Sequence, residues 1–299
     1  MNRPSAPSAT VAAYVAATIG IATFSIMDMV MKGLTIAVGI FAAFLFRSLA
    51  GLALSGSAFA VLRPGWPDRS TLMIHVRRGL LMTPMGLLFF WGLARVPMAQ
   101  AIALSFIAPL IALALSSVLL GEQLGRRTLQ GSLLAFVGVG VIFIGTARAD
   151  LGRSALLGSA AIIVSALVYA YNIILMRQQA QAARPSEIAF FQNLVVSLTL
   201  LCAVPFMGFP ELSHVHVPEI IAAALLGFSS QILLAWAYAR AGAGYLSTTE
   251  YSSFLWAMAL GWLRFAETVA PWTLAGAGLI LCGCLLAART DHPVLEASA

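Results

Sequence analysis

The sequence predicts an all-α membrane protein of ten transmembrane helices, arranged as two inverted five-helix repeats around a central cavity. Three observations carry that expectation. Hydrophobic residues make up 61% of the chain and charged residues only 9%, with a mean hydropathy of +0.94; soluble domains carry about 25% charge, so no water-exposed surface could cover this composition. Ten stretches are apolar over roughly the 20 residues that a bilayer-spanning helix needs. The chain also repeats itself, because Phe89-Phe90-Trp91-Gly92-Leu93-Ala94-Arg95 returns 145 residues later as Leu234-Ala235-Trp236-Ala237-Tyr238-Ala239-Arg240. The same offset relates Phe24 to Tyr169, Met31 to Met176, Lys32 to Arg177, Glu122 to Glu267, Thr128 to Thr273, Gly131 to Gly276 and Gly138 to Gly283. Duplication at this length in so apolar a chain points to a membrane transporter.

The first repeat, 11–147, holds spans at 11–32, 38–62, 72–94, 98–120 and 127–146. A short linker, 148–153, leads to the second repeat, 154–289, with spans at 154–177, 186–207, 217–239, 246–264 and 271–289. Residues 1–10 and 290–299 are polar and read as disordered tails. An odd number of spans per repeat starts the second copy on the opposite side of the membrane, so the repeats are inverted. With the N-terminus inside, the inner loops collect 11 of the 17 Lys and Arg residues and the outer loops 5, while Arg47 lies within a span. The positive-inside rule therefore places both termini in the cytoplasm. The net charge of +6 reflects that orientation and contact with anionic lipid headgroups; no basic run is long enough to suggest nucleic acid.

The spans differ in what they carry. The first is too long for a cleaved signal peptide and ends with Asp28 and Lys32, spaced i, i+4 so that a local ion pair is available. The second buries Arg47, for which Asp28 is an available partner. Pro84 and Pro109 interrupt the third and fourth, freeing backbone carbonyls as static kinks or hinges, while their counterparts are Ser229 and Phe254. The fifth and tenth show small-residue seams, Gly131, Ala135 and Gly138 against Gly276 and Gly283, which suit close packing within the chain or a dimer face. Tyr169 and Asn172 share a face of the sixth, and Gln231 and Trp236 lie in the eighth. The ninth contains Glu250 within Ser247-Thr248-Thr249-Glu250-Tyr251-Ser252-Ser253, and its counterpart in the first repeat is Ser105, so the acid is not demanded by the duplicated frame. Arg240 is a structural partner available to it. Glu122 and Glu267 follow the fourth and ninth spans and read as caps at the start of the helix that follows each.

Ionisable groups inside a span cost about 2.5–3.5 kcal/mol each on insertion scales, which marks Asp28, Arg47 and Glu250 as functional candidates. Nucleotide-binding, zinc-protease and hydrolase motifs are absent. His214 and His216 offer at most two metal ligands, and Cys202, Cys282 and Cys284 form no metal or disulfide pattern. Neither a metal nor a cofactor is expected.

The five-plus-five pattern, with Gly121-Glu122 after the fourth span and Glu267 at the equivalent place after the ninth, resembles the drug/metabolite transporter superfamily of the EamA type. More narrowly it is similar to the bacterial YddG-type exporters of amino acids, aromatic ones included. The resemblance departs at Ala266, where Gly would stand. It implies alternation between outward-open and inward-open forms, with a cavity lined by Asp28, Gln100, Tyr169, Asn172, Gln231, Trp236, Glu250 and Tyr251. The expected partners are a small-molecule substrate, membrane lipids and protons, in a monomer or homodimer. Rival readings are import or exchange of another metabolite and, from another class, a lipid-modifying membrane enzyme.

Overall fold

The computed structural model describes residues 7–62, 65–120, 126–148, 152–240, 246 and 249–288, and these are helical throughout apart from short turns. The helices are α1 (Pro7–Val38), α2 (Ile40–Leu62), α3 (Arg69–Leu93), α4 (Met98–Ser105), α5 (Ile107–Leu120), α6 (Arg126–Arg148), α7 (Gly152–Ala182), α8 (Pro185–Met207), α9 (Val217–Tyr238), α10 (Ser252–Phe265) and α11 (Pro271–Ala288). A 3-10 turn, His214–His216, leads into α9. The first helix starts inside the stretch expected as a tail and runs past Lys32. Glu122 and the 149–151 part of the expected linker lie outside the described residues.

Among the described residues, seven helical stretches are long and apolar enough to cross a membrane: those through α1, α2, α4 with α5, α6, α7, α8 and α9. α3 has the length but carries Arg69, His75, Arg77 and Arg78 in its first half, and α10 spans 14 residues. The outward face of α6 leaves Leu129, Leu133 and Phe136 more than half exposed. A row of large apolar side chains with no protein against it is what a lipid-facing helix presents.

Packing follows the 145-residue relation. α1 packs along α9, and α3 along α7; these are one contact made twice, since α7 is the second copy of α1 and α9 the second copy of α3. α6 packs on its own copy α11, and α2 on its copy α8. In the α6–α11 seam a Cβ on Gly131 would come within 2.3 Å of the Gly283 carbonyl, and one on Gly138 within 2.6 Å of the Gly276 carbonyl. Only glycine permits that approach. The register runs 131 with 283 and 138 with 276, so the two helices are antiparallel, as equivalent helices of inverted repeats must be. The seam is therefore used inside the chain, where sequence alone left a dimer face open.

The fourth span is not continuous. α4 ends at Ser105 and α5 begins at Ile107, because Pro109 has no N–H to give the Ser105 carbonyl and its ring crowds it. The second copy breaks at the equivalent residue, Tyr251, without a proline. There the Thr249, Ser252 and Ser253 hydroxyls each donate to the carbonyl three residues back, at 2.6 Å, and Phe254 N donates to Tyr251 O at 3.3 Å. Hydroxyls that bond back in this way compete with the helical ladder.

Candidate functional site

Glu250 is the centre of an exposed polar group just before α10. It is exposed, it accepts a hydrogen bond from the Tyr238 hydroxyl at 2.7 Å, and its charge acts on Tyr169, Tyr238 and Tyr251. Tyr169 lies near the middle of α7 yet is 37% exposed, and it also feels Arg78 of α3. Its phenol thus interacts with charged groups of two other elements, Glu250 and Arg78. Tyr251 meets Phe106 of the first repeat edge-on at 5.8 Å and shares a hydrogen bond with Cys284. Three residues expected in the site, Tyr169, Glu250 and Tyr251, are thus brought together, and Tyr238 joins them. Arg240, the alternative partner for Glu250, lies over the Trp236 ring at 4.1 Å and donates to the Trp236 carbonyl at 3.1 Å.

That clamp is itself duplicated. Arg95 lies 3.6 Å over Trp91 and donates to its carbonyl at 2.8 Å. Trp236 therefore has one ring face occupied as part of the repeated frame, which lessens its availability as a stacking surface. Gln231 is half-buried on α9. Gln100 is buried, and its amide donates to Thr146 Oγ1 and Ser159 Oγ, both at 2.9 Å, so it ties α4 to α6 and α7.

Asp28 and Lys32 do not pair with each other. Lys32 instead donates to Glu267 and, at 2.6 Å, to the Val96 carbonyl, while Glu267 Oε2 accepts from Met98 N at 2.8 Å. Glu267 is thus a helix cap, as expected, but of α4 in the other repeat rather than of α11 after it. Antiparallel packing of the repeats lays the α10–α11 turn beside the α3–α4 turn, which local spacing could not reveal. Gly261 leaves room for that carboxylate, since a Cβ there would sit 2.6 Å from Glu267 Oε2. Asp28 is buried, with Oδ1 lacking a hydrogen-bond partner, and Arg47 Nε lacks one too. The two act on each other electrostatically, and Arg47 Nη2 lies against Gly227 of α9.

Asn172 is buried and accepts from Arg78 Nε at 3.2 Å. It is the end of a chain of groups that sequence reasoning passed over: Arg78 also donates to Gln179 Oε1, Gln179 Nε2 lies 2.6 Å from His75 Nδ1, and His75 Nε2 lies 2.9 Å from Glu187 Oε1. The signal for it was present in the repeat. Positions 27, 34, 42, 220 and 223, each 145 residues from a member of this chain, are Met27, Leu34, Ala42, Ile220 and Ala223. A cavity of about 450 Å³, bordered by Trp66, Asp68, Arg184 and Glu187, opens at this end of the bundle. A smaller one, about 290 Å³, lies between α1 and the start of α9, beside Arg264.

Comparison with known proteins agrees with this architecture. The EamA-like transporter family model matches residues 11–144 and 156–289, one repeat each. A pseudopaline exporter of Pseudomonas aeruginosa is 24% identical over 90% of this chain and 93% of its own length. A riboflavin transporter of Rhizobium johnstonii is 28% identical over 67% of this chain and 65% of its own. A protein of Streptantibioticus cattleyicolor named as a probable terminal-alkyne amino-acid exporter is 27% identical over 80% of this chain and 79% of its own. A crystal structure 21% identical shares the fold, with a TM-score of 0.58 over 94% of this chain and 96% of that one.

Proposed function

The chain belongs to the EamA-like transporter family, a multi-pass membrane transporter and not an enzyme, and from that premise we propose that it exports amino acids and similar amphipathic metabolites by alternating access. In this reading ten spans form two inverted five-helix repeats in a bacterial inner membrane, with both termini cytoplasmic. The observation that carries it is the Glu250 group. A carboxylate set among Tyr169, Tyr238 and Tyr251 offers an anion for a substrate ammonium and aromatic walls for its side chain. Asp28 and Arg47, each with a buried polar atom left unpartnered, supply a second charged pair for a zwitterion. Gln231 and Asn172 add polar donors, and Trp236 adds its uncovered ring face.

Export is favoured by the relatives named as exporters of pseudopaline and of an alkyne amino acid. The riboflavin transporters support a second reading, in which the same aromatic walls carry a flat heteroaromatic metabolite. Counterflow distinguishes the two. Proteoliposomes preloaded with unlabelled amino acids should take up labelled Phe, Trp, Met, Thr or Ala without an ion gradient. Exchange of labelled riboflavin with none of the amino acids would overturn the first reading.

A further inference from the structure

We propose that His75 and Glu187 form the proton-binding site of this transporter, and that proton uptake there releases the Arg78–Gln179 contact that holds α3 to α7. The inference rests on the transport reading. It starts from a hydrogen-bond chain whose polarity is set from one end. Arg78 has only donors, so Asn172 and Gln179 must each present an amide oxygen to it. Gln179 therefore turns its Nε2 toward His75 Nδ1, which must accept. The ring proton is then on Nε2 and is donated to Glu187 Oε1. With a neutral imidazole, the Glu187 carboxylate and the Arg78 guanidinium balance each other.

A proton added at Nδ1 cannot coexist with the Gln179 NH2 that faces it. The amide has to rotate, and its NH2 then points at Arg78, so the Arg78–Gln179 bond is lost. Protonation and the α3–α7 contact are coupled through one side chain. Access is available, because Glu187 borders the 450 Å³ cavity that Asp68 and Arg184 also border. From α7 the ring is faced by Gln179; from α8 by Glu187 and by Phe191, stacked on it at 4.7 Å. α2 adds Phe59, which reaches Phe191 at 6.1 Å, and Arg78 of the same helix is linked to the ring through Gln179.

The repeat shows that the fold does not require this chain. The copy of the α3–α7–α8 contact, made by α9, α1 and α2, fills the five equivalent places with Ile220, Leu34, Ala223, Met27 and Ala42, all buried. Apolar packing suffices there. Burying polar and ionisable groups costs more than burying apolar ones, and His75, Arg78, Gln179 and Glu187 are all buried, so their presence in one copy alone marks a function.

Two measurements test this. The protein has four histidines, so 15N-histidine labelling in detergent resolves His75, assigned by its loss in His75→Gln. The expected result is a neutral ring protonated on Nε2 that gains a second proton, on Nδ1, when the sample is acidified. An invariant His75 signal, or a neutral ring that carries its proton on Nδ1, would overturn the proposal.

In proteoliposomes with labelled phenylalanine, a one-unit pH gradient should sustain about a tenfold concentration ratio for one proton per substrate. His75→Gln and Glu187→Gln should bring that ratio to one while counterflow at equal pH persists. Accumulation that survives in both variants, or wild-type counterflow that no pH gradient can drive uphill, would overturn it. No movement of any amino acid would instead sink the substrate reading. The titration of the His75 signal needs no substrate and would then decide the proton site by itself.

Discussion

Phe106 and Tyr251 are the same residue of two copies, 145 positions apart, and their rings touch edge-on with centroids 5.8 Å apart. Each sits at the break of its own helix, and the contact lies where the repeats face each other. Edge-to-face pairs contribute about 0.5–1.5 kcal/mol beyond area burial. A double-mutant cycle of Phe106→Leu and Tyr251→Leu, read by thermal unfolding in detergent, should return a coupling energy of that size. Additive effects would show that the contact is incidental.

Glu250→Gln keeps the hydrogen bond to Tyr238 and removes the charge. The variant should fold normally and lose at least tenfold in counterflow, with Glu250→Asp recovering part of it. Unchanged flux at equal protein level would take Glu250 out of the site.

Ala266 holds φ +53° and ψ 32°, a left-handed conformation that costs an L residue about 1–2 kcal/mol. Gly121 stands at the equivalent place in the first repeat. Ala266→Gly should therefore raise the melting temperature, with a gain of roughly 1 kcal/mol, and leave the Lys32–Glu267 contact in place. A loss of stability would mean that the methyl group packs to more effect than its backbone costs.

Glu267 joins Lys32 to the start of α4. Glu267→Ala leaves an ammonium buried without its carboxylate and the Met98 N–H without an acceptor, a change that costs about 3–5 kcal/mol for comparable buried pairs. Combining it with Lys32→Met should restore part of that, because the stranded charge is gone. Equal melting temperatures for the single and double variants would show that the cap, and not the charge pair, dominates.

Asp68 lies outside the spans, at the N-cap of α3. Hydrogen bonds from Ser70 and Thr71 hold its carboxyl down at about 2. A pKa lowered by folding contributes stability above the unfolded value, near 3.9, and loses it as pH falls toward 2. Amide exchange at the start of α3 should therefore accelerate on acidification from about pH 4 to about pH 2. Asp68→Asn, which caps without titrating in that range, should flatten the dependence.

Much of the architecture was legible in the residues themselves. Composition and apolar run length are local properties, and they placed the helices, with α1 and α7 extending beyond their expected ends. The 145-residue offset correctly matched elements, down to the Trp91–Arg95 and Trp236–Arg240 clamps, because a clamp between residues four apart on one helix is written in the spacing. The small-residue seams were legible for the same reason. The break at Tyr251 was not, since no proline marks it and three hydroxyls act together to weaken the ladder.

The sequence by itself determined that this is a duplicated bundle of membrane helices and which few polar groups lie within it. Only the tertiary structure decided which of those groups meet. Lys32 is four residues from Asp28 and 235 from Glu267, yet it bonds to Glu267, because antiparallel packing of the repeats brings the α3–α4 and α10–α11 turns together. Gln100, placed in a cavity lining by the family resemblance, is satisfied by Thr146 and Ser159, and the His75–Gln179–Arg78 chain forms from residues about 100 positions apart. In an apolar medium each buried polar group needs a partner, and which partner it finds depends on helix–helix register, which no local pattern in the chain specifies.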